Sequence, residues 1–195
     1  MLVIGGPFAV VAGVLAVSGV LKLADPAPAT QSWRVLPTRL RPAAGVVVAG
    51  AEVALAMLAL TVTQRGIALA MGLLYGMFAA LSVRRLRTRA TASCGCFGRL
   101  ATPPSWLHVA SNVLSAGVAS LAAIAGTPPL TKILATQSVG QGVLTLSLAA
   151  LAAGLAIAAV TTLPATRAAA RAHIHTGDVP IFRMTASART DNRVR

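Results

Sequence analysis

The chain has 195 residues, 56% of them hydrophobic and 11% charged, with a mean hydropathy of +0.77 and a formal net charge of +13. That balance lies outside the range of soluble domains and places the chain in lipid. Aromatic residues make up only 4%, and the basic residues fall between apolar runs rather than on one patterned surface, which excludes a nucleic-acid binder.

The first apolar run, Leu2 to Ala24, is interrupted only by Pro7 and Lys22. Ala27-Pro28-Ala29 after it has the small residues of a signal-peptidase site. However, no basic residue precedes the run, and it exceeds the roughly 7 to 15 residues of a signal-peptide core, so it reads as a retained membrane helix. The second run, Ala43 to Thr63, carries one charge, Glu52, and the third, Gly66 to Val83, carries none. Trp106 to Ala125 and Val143 to Leu163 complete the set. Each run is about 18 to 23 residues, enough to span a hydrocarbon core of roughly 30 Å. The predicted fold is therefore an all-α membrane protein with a bundle of about five transmembrane helices. Abundant Gly, Ala and Ser would let the helix backbones approach closely.

Glu52 falls about 13 to 14 Å along its helix, near the bilayer centre, where a charge costs roughly 2.5 to 3.5 kcal/mol on insertion scales. Such a residue needs a partner. Lys22 is the basic residue inside an apolar run that could reach it, and Ser18, one turn earlier on the same helical face, could also bond the carboxyl. Two roles stay open for Glu52: a proton relay or quinone-proximal acid, and a hydrogen-bonded residue that fixes helix packing. Tyr75, midway along the third run, reads as a packing residue with a bonded hydroxyl.

The two cysteines of the chain, Cys94 and Cys96, stand in Cys94-Gly95-Cys96-Phe97-Gly98, between the third and fourth runs. Thiols one residue apart can close only a small ring, so the chain must bend at Gly95, and a strained disulfide is of the easily reduced kind used in catalysis or regulation. Arg89 and Arg99 flank the pair and favour thiolate. Phe97 could anchor the segment at the lipid interface, and Gly98 again permits positive φ. The competing reading is a reduced, inert pair. Two cysteines supply too few ligands for a closed zinc site, and no metal site is assigned. His108 and Asn112, one helical turn apart in the fourth run, could present a polar stripe beside the cysteines or link two helices by hydrogen bonds.

All of the 17 Lys and Arg residues except Arg65 and Lys132 fall on one side of such a bundle. The positive-inside rule then predicts an outside N-terminus, a cytoplasmic C-terminus and a cysteine segment at the cytoplasmic surface. The stretch after Pro164 is basic, has no sustained apolar period and is expected to be disordered, with Arg167 and Arg171 along anionic headgroups. His173 and His175 are too isolated to form a metal site.

Cys94 to Gly98 also resembles the C-x-C-F-G signature of the methylamine utilisation protein MauE family, whose members are similar to DoxX-type membrane proteins. Ser18 to Asp25 resembles the end of that family's first helix. Val35, Leu36 and Pro37, with Pro42, resemble its first loop, and Glu52 stands where an acidic residue is common. The resemblance covers residues 1–126, leaving 127–163 as an additional transmembrane helix and 164–195 as a basic tail. It implies thiol-disulfide exchange by Cys94 and Cys96 in the maturation or export of a disulfide-rich partner, such as the small subunit of methylamine dehydrogenase. A protein redox partner or client follows from it, while the cofactor is unknown; a quinone is compatible, and no haem, nucleotide or flavin motif occurs. The alternative is a non-enzymatic DoxX-like assembly subunit or small-solute transporter, so whether the chain is an enzyme stays open.

Overall fold

A computed structural model describes residues 2–26, 30, 37–62, 65–88 and 105–176. Among the described residues six helices can be delimited, in order: α1 Leu2–Ala24, α2 Arg41–Thr61, α3 Arg65–Arg87, α4 Trp106–Ala125, the short α5 Leu130–Ala135, and α6 Val139–Thr176. No strand occurs among the described residues. Among the described residues five segments are long and apolar enough to cross a membrane: Ile4–Ala24, Arg41–Thr61, Arg65–Arg87, Trp106–Ala125 and Val139–Pro164.

The helix ends follow from local chemistry. Pro42 lies in the first turn of α2, where its missing N–H has no helical partner to lose. Arg84, Arg85 and Arg87 crowd the last turn of α3 and complement the negative end of its dipole. Gly126 stops α4 with a left-handed φ of 63°, and the N–H of Thr127 reaches back to the carbonyl of Ala122 at 3.1 Å, closing the orphan carbonyls of the last turn. Pro129 then caps α5, a helix too short to register as an apolar run. Thr131 Oγ1 donates to the carbonyl of Thr61 at 3.4 Å and ties α5 to the end of α2.

Residues 1–164 form one compact unit. Within it α3 packs most extensively on α4 and α1 on α2, while α1 and α4 join the two pairs. The core is built largely of alanine: Ala12, Ala49, Ala56 and Ala119 are fully buried, with Leu15 and Met71 filling the gaps. Bulky Leu73, Leu114, Ile124 and Leu155 face outward. In lipid this arrangement is expected, because small residues let backbones pack closely and nothing is gained by hiding leucine from acyl chains. The α6 segment up to Pro164 packs lightly, with Ala153 and Val160 as its buried contacts.

Residues 165–195 form the second unit. Their described part, to Thr176, is helical, whereas the sequence led us to expect disorder from Pro164 onward. The alanines and arginines that follow Pro164 are strong helix formers, and that propensity outweighs the lack of an apolar face.

Candidate functional site

The site begins with a close approach of α1 and α2. Gly19 lies directly against α2: a Cβ there would stand 2.7 Å from Val53 Cγ2 and 2.9 Å from the carbonyl oxygen of Ala49. With the backbones this near, Lys22 Nζ reaches Oε1 of Glu52 at 2.5 Å, and Ser18 Oγ donates to Oε2 at 3.3 Å. Glu52 is fully buried, and Lys22 is only 4% exposed. Both carboxylate oxygens are thus engaged from one face of α1, as a charge at this depth requires.

A third helix completes the cluster. The Lys22 ammonium stands 4.8 Å from the centroid of the Phe78 ring, whose electron-rich face adds a second attraction in a site shielded from water. Phe78 meets Tyr75 edge to face at 6.3 Å, and the Tyr75 hydroxyl donates to the carbonyl of Val11 at 2.8 Å. Tyr75, one turn from Phe78 on α3, therefore locks α3 to α1 at Val11, about three turns before Lys22. Tyr75→Phe should keep the ring packing and lose about 0.5 to 1.5 kcal/mol, read as a lower midpoint of unfolding in mixed micelles, with Lys22 and Glu52 still paired.

Beside this cluster lies a cavity of about 60 Å³. Ser18 and Phe78 form the wall it shares with the ion pair, Tyr75 lies on the same side, and His108, Asn112 and Ser115 line it from α4. Ala156 and Val160 of α6 close it with apolar surface. His108 is buried in the first turn of α4, with Nδ1 2.8 Å from the hydroxyl of Ser105, the residue before the helix. Among the described residues, no buried side-chain nitrogen or oxygen lacks a hydrogen-bond partner, and no group of three His, Cys, Asp or Glu could hold a metal ion.

The structure thus brings Lys22 and Glu52 together with Ser18, and sets His108 and Asn112 on a cavity that shares Ser18 with that pair. Cys94, Gly95, Cys96, Phe97 and Gly98 lie outside the described residues, as do Arg89 and Arg99. Their segment is tethered at the C-terminal end of α3 and the N-terminal end of α4, the helix pair that packs most extensively. Sequence reasoning missed Phe78, Ser82 and Ser115. A signal for the first two was present: Tyr75, Phe78 and Ser82 follow helical spacing on one face of α3, and Ser82 is also buried.

Together these features define a multi-pass α-helical membrane protein organised around a buried, hydrogen-bonded ion pair. The chain belongs to the methylamine utilisation protein MauE family, whose match extends over residues 2–127 and so takes in α1 to α4, the cysteine segment, Lys22, Glu52 and His108. Neither a curated protein nor a solved structure matches the chain.

Proposed function

We propose that the chain handles electrons for the maturation of a disulfide-rich partner through thiol-disulfide exchange at Cys94 and Cys96. The observation that carries this reading is the placement of the chain's two cysteines, one residue apart, in the connection between α3 and α4, inside the part of the chain matched by the family. Arg84, Arg85 and Arg87 at the end of α3 make that end of the bundle strongly basic, a setting that favours thiolate.

The same basic end, with Arg39 and Arg41 at the start of α2, orients it toward the cytoplasm and the N-terminus outward. Cytoplasmic thiols keep a pair in that position reduced. The resting form is then the dithiol. It attacks a partner disulfide, passes through a mixed disulfide, and ends as the Cys94–Cys96 disulfide. Two electrons and two protons have moved to the partner, and cytoplasmic thiols return the same number to the pair.

Alkylation trapping in intact membranes tests the reading. The wild-type pair should take two alkyl groups at rest and none after treatment with diamide. Cys96→Ser should accumulate a mixed disulfide that dithiothreitol releases. A pair that never closes under diamide in folded protein, with Cys94→Ser indistinguishable from wild type in partner maturation, would leave a non-enzymatic assembly or transport role instead.

A further inference from the structure

Thiol exchange gives no task to the cavity between α1, α3, α4 and α6. Its lining is mostly apolar, yet Ser18, His108, Asn112 and Ser115 stand among the residues around it, within the span of the membrane. Lipid offers such groups no hydrogen bonds. A space needs roughly 10 to 15 Å³ to admit one water, and this one has about 60 Å³.

Two side-chain hydrogen bonds start from residues that line the cavity. In one, Ser105 and His108 are bonded to each other at the start of α4. In the other, Ser18, which also lines the cavity, donates to Glu52. The titratable and charged groups that face Glu52 or the cavity are Lys22 from α1, Tyr75 from α3 and His108 from α4; Ser18, Ser111, Asn112 and Ser115 are the neutral polar residues there, and α6 contributes only Ala156 and Val160.

We propose that this cavity is a water-filled proton-access chamber, leading from the Ser105–His108 end of α4 through Ser18 to Glu52. A cavity water gives a proton to the Ser18 oxygen as the Ser18 hydroxyl proton passes to Oε2 of Glu52. Ser18 is regenerated, the carboxylate becomes a carboxylic acid, Lys22 keeps its charge, and the water chain is refilled from the aqueous side by one proton. The inference does not depend on the cysteines, and its test is made in a chain carrying Cys94→Ser and Cys96→Ser, so that the two readings fail separately.

The full chain in lipid nanodiscs is followed by infrared spectroscopy during transfer from light to heavy water at acid pH. The carboxylic-acid band of Glu52 is assigned by its loss in Glu52→Gln. In the otherwise unaltered chain this band should shift to its deuterated position within the mixing time. Ser115→Leu, which fills the chamber, and Ser18→Ala, which removes the last carrier, should each slow the shift by about tenfold or more. Val160→Phe fills the same space from α6 and serves if Ser115→Leu does not fold. A Glu52 band that resists deuteration for hours, the absence of any such band down to the acid limit of stability, or equal rates in the filled and unfilled chains would each overturn the proposal.

Discussion

Replacing Lys22 with methionine is expected to destabilise the protein by about 3 to 5 kcal/mol, the usual cost of leaving one member of a buried pair without its counter-charge. Glu52 cannot move to a better place: it is fully buried mid-helix, and its remaining partner, Ser18, offers a single hydroxyl. Glu52→Leu should cost somewhat less, because Lys22 lies near the end of α1 and its long stem can snorkel toward the interface. The double replacement Lys22→Met with Glu52→Leu should recover most of the loss. Two charges taken out of water together are worth about as much as a well-packed apolar pair, and methionine still meets the Phe78 ring favourably. Reversible unfolding in mixed micelles gives all four corners of the cycle. A double variant whose loss equals the sum of the two single losses would show that the pair is not energetically coupled, and the account of the α1–α2 junction would then be wrong.

How much of this was legible beforehand depends on which physical constraint did the writing. The five spans were readable because a bilayer demands length and apolarity, and Leu2 to Ala24 or Trp106 to Ala125 supplies both without regard to tertiary context. The Lys22–Glu52 contact was readable for a similar reason: a charge at that depth must be answered, and few residues could answer it. Elsewhere the sequence was less decisive. Ala49, Ala56, Ala119 and Ala122 are buried, while Ala51, Ala54 and Ala110 on the same helices are exposed, so composition does not say which alanine face turns inward. The cavity is invisible for that reason, because its wall is assembled from helix faces whose mutual register alanine leaves open. His108 and Asn112 were paired from spacing alone, but Ser18 and Phe78 join them only through packing. The helix after Pro164 shows the opposite error, a local propensity undervalued because no apolar stripe accompanied it.

Among the described glycines, Gly19→Ala should be the most damaging single-methyl change. The added Cβ would meet Val53 Cγ2 at 2.7 Å, the backbone nitrogen of Val53 at 3.1 Å and the carbonyl oxygen of Ala49 at 2.9 Å. A valine methyl can rotate away, but backbone atoms of a helix cannot, so α1 must retreat from α2 at a cost of about 1 to 3 kcal/mol. Shortening the neighbour with Val53→Ala should therefore rescue only part of the loss. Gly50→Ala and Gly76→Ala are the matched controls, since a Cβ at either position meets nothing within 4 Å and each exchange favours helix by up to about 1 kcal/mol. The effect should also reach the polar cluster. Gly19 stands between Ser18 and Lys22, so a retreat of α1 lengthens both of their contacts with Glu52 at once. In the Gly19→Ala background, Lys22→Met should then cost clearly less than in wild type, because part of the pair is already lost. Additive losses would mean that the close approach and the ion pair are independent features of the same interface. Non-additive losses would mean that the glycine is there to bring the lysine within reach of the carboxylate.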